Sequence, residues 1–374
     1  MKKHPNYYLL FLVIILVVFG ILFLSTLSAP VSMRKFNNTN YYLIHQLSLL
    51  AAGIILAVMA YRFPLSRLKA LAPYLLLGSF ALLIVALLPG VGVKFSGAKR
   101  WVNIGIGVFQ PSEILKITAI LYLSALISNK LLRGRRVDWI SKAKKGYHNA
   151  KHIFVPFIIL LAAISPFLIL QSDVSTLGII GLVLVLMYFF AGTPVWNSLL
   201  IFLAAVAGFF ALVRFKSYRM DRWLIFLNPE TDPMGKGHQV KQSIIAIGSG
   251  GLWGKGWGMS SQKFGFLPNA MSDSIFAVLG EETGIIGTLF LVILFLFFLW
   301  LGVKIAKSSN DRFSQLTALG ITFWITIQAF FNIAANLSMV PLVGIPLPFF
   351  SYGGSHLVAE LIGVGILLNI SKNS

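Results

Sequence analysis

Apolar residues run in long unbroken blocks along this chain, close to residues 7–28, 41–61, 70–89, 113–129, 152–170, 174–191, 195–214, 276–305, 314–335 and 353–370. Each block approaches the about 20 residues that carry a helix across the hydrocarbon core of a bilayer. The blocks lack the two-residue alternation of barrel strands, and a backbone in lipid has to satisfy its own hydrogen bonds. The pattern therefore predicts an all-α polytopic membrane protein of about ten transmembrane helices. One interruption breaks the rhythm. From Phe215 to Ser274, between the seventh and eighth blocks, the chain stays polar, basic and glycine-rich. The chain reads as a single integral membrane domain, 1–374, with 215–274 as a large extracytoplasmic loop within it.

Composition agrees: 57% of residues are hydrophobic and only 11% charged, against about 25% charged in an ordinary soluble domain. The first block follows Met1-Lys2-Lys3-His4-Pro5 and begins like a signal peptide, but its apolar run is too long for one, so it reads as a retained span. With no cysteine in the chain, disulfide and thiolate chemistry are excluded.

Charge sets the expected orientation. Connectors on the side of the N-terminus hold seventeen Lys and Arg, including a run of eight from Lys130 to Lys151, against five in the short connectors opposite: Arg34, Lys35, Lys94, Lys99 and Arg100. The positive-inside rule places both termini in the cytoplasm. The 215–274 loop then faces outward, although it and its approach carry eight more cations, Arg214, Lys216, Arg219, Arg222, Lys236, Lys241, Lys255 and Lys263. Such an excess on that side calls for an anionic partner. The formal net charge of +20 is otherwise explained by topology and anionic headgroups, and no nucleic-acid-binding module accompanies it.

Acid–base or metal chemistry has to draw on eleven carboxylates. Asp138 and Asp311 fall among cytoplasmic cations, where surface pairing explains them. Asp221, Glu230 and Asp232 sit beside Arg219, Arg222 and two prolines and suit turns. Glu113 and Lys116 stand three apart at the start of the fourth helix, so they share a face and can pair inside the membrane. Asp173 can cap the sixth helix. Glu360 lies one turn after His356 and can pair with it. Asp273 is the strongest candidate: Pro268 ends an extended segment, Ser272 and Asp273 offer N-cap chemistry, and an apolar helix follows, which puts a carboxylate at a positive helix end. Glu281 and Glu282 lie deeper on that helix, and Lys116 is the expected buried cation near them. Gln328, Asn332 and Asn336 form a polar stripe at i, i+4 and i+8, suited to interhelical hydrogen bonding. The segment Pro341–Ser355 is too proline-rich to be helical.

These motifs resemble a known family. Gly97-Ala98-Lys99-Arg100-Trp101, Gln110-Pro111-Ser112-Glu113-Ile114-Leu115-Lys116, the run Gln242–Gly251, Phe266-Leu267-Pro268 through Asp273, Gly280-Glu281-Glu282 and Pro346–Ser355 are similar, in order and over nearly the whole chain, to the SEDS family, which includes the FtsW and RodA proteins. Gly258–Lys263 leans toward the FtsW branch. The resemblance implies a peptidoglycan glycosyltransferase that polymerises lipid II, an undecaprenyl-pyrophosphate-linked disaccharide peptide, at the outer face of the bacterial cytoplasmic membrane, in division or cell shape. It implies Asp273 as the catalytic residue, with Arg100, Glu113, Lys116, Lys263, Gln242, Ser243, Glu281, Ser351 and Ser355 binding substrate. A class B penicillin-binding protein and other division or elongation proteins are the expected partners. Departures from the family pattern fall at Ser172, Val174, Ser175, Asn269 and Ser274.

The implied chemistry suits a single base. A glycosidase uses two carboxylates because a sugar alkoxide must be protonated as it leaves, whereas a lipid diphosphate leaves as a stable anion. Asp273 would deprotonate the acceptor GlcNAc 4-hydroxyl for attack on the MurNAc anomeric carbon with inversion. Arg100, Lys116, Lys263 or a divalent cation, Mg or Mn, would stabilise the diphosphate. No cofactor is otherwise required. The competing readings are a lipid II flippase or transporter and a non-catalytic divisome scaffold.

Overall fold

The computed structural model describes residues 4–373 apart from 96–97, 104, 106, 135–152, 193–195, 198, 202, 205–206, 209–216, 234 and 343. Helix α1, Tyr7–Phe36, opens on Asn6, whose side chain accepts the Leu9 N–H, and closes on Asn37 in the left-handed region, φ 53°. Helix α2, Tyr41–Arg62, stops just before Phe63-Pro64, as expected because proline disfavours helical backbone in the residue before it. Helix α3 covers Leu65–Leu87.

The next connector departs from the purely helical expectation. Strands β1 (Gly92–Phe95), β2 (Ala98–Asn103) and β3 (Val108–Phe109) form a small antiparallel sheet in that order, with Val93 opposite Trp101 and Val102 opposite Phe109. A polar connector at a membrane surface has to pair its backbone somewhere, and this ladder does so. Helix α4, Pro111–Gly134, starts on a proline, at the first helical position where a missing N–H costs nothing. Helices α5, Val155–Leu170, and α6, Val174–Phe190, follow. The expected seventh span, 195–214, lies largely outside the described residues, as do Asp138 and the basic run 135–151.

The polar loop is well structured. It holds helix α7, Ser217–Leu227, a 3-10 turn at Pro229–Thr231, helix α8, Lys236–Gly250, and a second 3-10 turn at Gln262–Phe264. Asp232 accepts the Lys236 N–H at 2.9 Å and Glu230 pairs with Lys241 at 3.3 Å on the surface, so both shape this segment as expected. Three long helices complete the chain: α9, Ile275–Ser308, α10, Arg312–Asn336, and α11, Gly354–Lys372. Asp311 is a correction to the surface-pairing expectation. Its carboxylate accepts the Ser314 N–H at 2.9 Å and the Ser314 hydroxyl at 2.6 Å, and so caps α10.

Among the described residues, α1 to α4 and α9 to α11 are long and apolar enough to cross a membrane, while α5 and α6 are shorter apolar helices in two further expected spans. The protein is an all-α polytopic membrane protein. Helices α4, α10 and α11 are the most buried spans and α2 the least.

Helix α9 is interrupted, a feature absent from the sequence reading. Gly284 sits at φ 66°, ψ −162°, which a residue with a Cβ rarely adopts. The polar loop mends the break. Lys255 and Gly256 donate backbone N–H groups to the carbonyls of Glu281 and Glu282, at 2.9 and 3.1 Å, and Ile285 and Ile286 donate to those of Gly251 and Leu252, at 3.0 and 3.3 Å. Trp257 then stacks on Phe19 of α1 at 5.7 Å and meets Phe23 edge-on, so the loop returns to the bundle.

Helices α8 and α9 approach so closely that a Cβ on Gly250 would lie 2.0 Å from the Gly280 carbonyl oxygen, whereas one on Gly248 meets nothing within 4 Å. Gly250→Ala is therefore expected to cost about 1–3 kcal/mol by overpacking. Gly248→Ala should change stability by less than about 1 kcal/mol, in the stabilising direction of alanine's helix propensity. Thermal unfolding of both purified variants in detergent checks the contrast; equal melting temperatures would refute it.

Candidate active site

Asp273 lies one residue before the N-cap of α9. The N-cap is Ser274, and it makes no side-chain capping hydrogen bond, so the expected N-cap role of Asp273 is not realised. The aspartate is fixed through its backbone instead. Its carbonyl oxygen accepts from Asn332 Nδ2 and Asn336 Nδ2, each at 2.8 Å, and Asn332 also donates to the Ile345 carbonyl at 2.7 Å. Just before it in the chain, the Ser272 carbonyl accepts from the Ser351 hydroxyl at 2.6 Å and the Met271 carbonyl from the Tyr352 N–H at 2.8 Å. Asn332 and Asn336 of the polar stripe thus grip loop backbone, the segment bearing Asp273, in place of the expected interhelical hydrogen bonding.

Asp273 as a residue is half-buried. Ser272 donates to Oδ1 at 2.6 Å. Gln239 of α8, which donates to Ser274 Oγ at 2.8 Å, also bears on it, and Arg222 of α7 acts on it electrostatically. Burial pushes the Asp273 pKa upward, opposed by the Ser272 hydrogen bond, by backbone donation and by the Arg222 charge.

Below this segment, Gln328 joins three helices. Its Oε1 accepts from Lys116 Nζ at 2.8 Å and from Trp324 Nε1 at 2.9 Å, while its Nε2 donates to the Pro346 carbonyl and to Glu360 Oε1, at 3.2 and 3.3 Å. Lys116 and Glu113 pair at 2.7 Å, both buried, and the Lys116 ammonium stands 5.0 Å over the Trp324 ring. Glu360 does not pair with His356. It accepts the Phe349 N–H at 2.9 Å, and His356 turns to the Ser351 carbonyl at 3.2 Å, because the non-helical 341–353 segment supplies backbone groups closer than the adjacent helical turn does.

Glu281 corrects the expectation that Lys116 would balance it. Its cation is Lys255, at 2.7 Å; Ser260 and Ser261 hydroxyls and the N–H groups of Ser261 and Gln262 complete its shell. Glu282 accepts the N–H groups of Gly258 and Ser260, at 2.8 and 3.2 Å. The two glutamates therefore staple the loop, with 0% and 1% exposure. Lys263 is turned inward, donating to the Gly258 carbonyl. Gln242 accepts from Gln262 at 3.2 Å, and Ser243, the buried residue that follows it on α8, has no hydrogen-bond partner for its hydroxyl among the described residues. Ser355 accepts the Gln110 N–H at 3.0 Å.

Asp173 occupies the N-cap position of α6 without capping it. Its carboxylate gathers Ser112 at 2.9 Å, Gln110 at 3.1 Å, Thr176 at 2.9 Å and Arg100 at 3.5 Å, tying β2 and α4 to α6. Arg100 remains a quarter exposed. Among the described residues no group of three His, Cys, Asp or Glu could hold a metal ion. Oxygen ligands of the kind Mg or Mn takes stand at Asp273 in its own carboxylate and in the side chains of Ser272 and Gln239.

A helical bundle with a carboxylate fixed at the foot of a basic loop defines an integral membrane protein with a polar centre at the loop face. The chain belongs to the FtsW/RodA/SpoVE family, described as cell cycle proteins, whose profile matches residues 7–374. It is 34% identical over 374 residues to stage V sporulation protein E of Bacillus subtilis strain 168, covering 100% of this chain and 98% of that one. It is likewise 34% identical over 359 residues to the probable peptidoglycan glycosyltransferase FtsW of Coxiella burnetii, covering 95% and 93%. A solved structure described as "Structural coordination of polymerization and crosslinking by a peptidoglycan synthase complex" superposes with a TM-score of 0.74 at 28% identity, covering 98% of this chain and 97% of that one.

Breaking the Glu113–Lys116 pair from one side leaves a buried charge. Lys116→Met is expected to cost about 3–5 kcal/mol, and Glu113→Leu/Lys116→Met to recover most of that loss. Unfolding in detergent measures both; a double variant no more stable than the single one would contradict the pairing.

Proposed function

We propose that this protein is a peptidoglycan glycosyltransferase that polymerises lipid II, with Asp273 as the general base. The observation that carries the assignment is the double grip of Asn332 and Asn336 on the Asp273 carbonyl oxygen, which holds a lone carboxylate at the loop face without using up its side chain. The acceptor's sugar hydroxyl gives its proton to Asp273 as the oxygen attacks the anomeric carbon of the donor, and the donor's lipid diphosphate leaves on the opposite face. No proton has to follow the leaving group. Placing the base in advance lowers the barrier because its orientation is settled before substrate arrives.

Of the cations named from sequence, Arg100 is the best placed to meet the diphosphate: it is partly exposed and held to Asp173 through one nitrogen at 3.5 Å. Lys116 and Lys263 point inward and support the frame. Gln242, Ser243, Ser351 and Ser355 would shape the floor around the acceptor, and Glu281 would act through the loop it fastens. Arg100, or a divalent cation, Mg or Mn, held by a carboxylate together with the diphosphate oxygens, would supply the charge stabilisation. The loop face would lie outside the cytoplasmic membrane with both termini in the cytoplasm. A class B penicillin-binding protein would be the partner, in division or elongation. The likeness to a synthase complex that polymerises and crosslinks supports this.

Asp273→Asn, purified with its transpeptidase partner, is expected to lose about 10²–10⁴-fold in glycan polymerisation, the usual contribution of a positioned base. A gel of products from labelled lipid II reads the outcome. Chains of normal length and yield would end the base assignment, and lipid translocation without chains would favour a transporter. The pH dependence has a definite sign. Because burial raises the Asp273 pKa above 3.8, polymerisation should fall as pH drops through a limb lying above the ordinary aspartate range, and the Asn variant should lack that limb.

A further inference from the structure

The loop that looks polar in the sequence carries an apolar face of its own. From Gly251 to Phe266 its charged residues are Lys255 and Lys263. Lys255 pairs with buried Glu281 at 2.7 Å, and Lys263 is buried against the Gly258 carbonyl. Outward the stretch shows Leu252, Trp253, Met259, Phe264 and Phe266, each between 61% and 80% exposed. Helix α8 grades toward this face. On its exposed side Lys241 pairs with Glu230 at the surface, and one turn on come half-exposed Ile244 and Ile245.

Two separate contacts fix how deep the face lies. The backbone of Gly251–Gly256 fills the break at Gly284, which lies eight residues into the apolar block that opens at 276, about 12 Å at the rise of a helix. Trp257 meets Phe19 and Phe23 of α1, and Phe19 lies nine residues short of the end of its own block at 28, about 14 Å. Phe290, past the break in α9, also meets Phe19, at 6.3 Å. Both helices thus place the tip of the loop nearly halfway into the about 30 Å hydrocarbon core. Non-helical backbone at such a depth has to be paired. Besides the four hydrogen bonds across the break, Gly254 donates to the Gly250 carbonyl, Met259 to that of Gly256, and Gly258 and Ser260 to the Glu282 carboxylate.

We infer that residues 244–266 form a re-entrant element, dipping into one leaflet with Leu252, Trp253, Met259, Phe264 and Phe266 against lipid acyl chains. The face continues the lipid-facing surface of α9, where Ile285, Leu289 and Ile293 are also about half exposed, and buried Glu281 and Glu282 hold it from behind.

Because the chain has no cysteine, single cysteines carry a nitroxide label without background. Trp253→Cys, Met259→Cys and Phe264→Cys are compared with Lys241→Cys, the surface reference, and Ile293→Cys, the lipid-facing reference. Each is labelled in the full chain and reconstituted in phosphatidylcholine–phosphatidylglycerol vesicles. Electron paramagnetic resonance reads collisions with oxygen, which concentrates in hydrocarbon, and with a water-soluble nickel chelate. The oxygen-to-nickel ratio at the three loop positions should be severalfold above that at Lys241→Cys and match that at Ile293→Cys. Folding is scored by monodispersity, and if Trp253→Cys fails there, the other two positions carry the comparison. Ratios equal to that at Lys241→Cys overturn the inference, because the face is then in water. Exclusion of both reagents overturns it in favour of a second copy of the chain covering the face.

Discussion

In a bundle this apolar, a polar group without a partner is expensive, and that one constraint organises the loop face. Helix α9 is broken at Gly284, where the backbone leaves the helical region. The loop between Gly251 and Gly256 lies in the gap and exchanges backbone hydrogen bonds with both sides of the break. Glu281 and Glu282, buried just before it, take their partners from residues 255–262. The loop is therefore docked by the helix it precedes. Its glycines matter here because backbone meets backbone, and a side chain at Gly250 or Gly254 would strike the carbonyl of Gly280 or Glu282.

A second frame comes from α10, whose amides Gln328, Asn332 and Asn336 divide two demands between them. Gln328 satisfies the buried Lys116 and helps hold Glu360; Asn332 and Asn336 hold the Asp273 carbonyl. Amides suit this work because each carries two donors as well as an acceptor, so one side chain can serve a loop and a neighbouring helix together. Polar contacts inside a membrane bundle contribute modestly one by one. Their number along a single helix face is what gives the 341–353 segment a unique position. The catalytic proposal depends on that position more than on any helix dipole, since Asp273 caps nothing.

The cations divide by the same logic. Lys116, buried in the bundle, is neutralised by Glu113, as low dielectric requires, whereas Arg100 and Arg222 are among the partly exposed cations. Family membership and the relatives' names agree with peptidoglycan glycosyl transfer.

The architecture was legible in the sequence because transmembrane helices are determined locally: length and apolarity decide a span without reference to the rest of the chain. So were the non-helical proline-rich segment, the basic loop and Asp273, which a small inventory of carboxylates makes easy to single out. Pairings were not legible. His356 and Glu360, one turn apart, ignore each other, while Asp173 collects Arg100 and Ser112 from far upstream and Glu281 takes Lys255 in place of Lys116. Helical spacing says which side chains share a face, but not what stands opposite. Only packing decides that, because each buried charge settles on whichever partner the folded chain brings within hydrogen-bond reach. The break at Gly284 and the β-ladder of the 92–109 connector belong to the tertiary structure for the same reason.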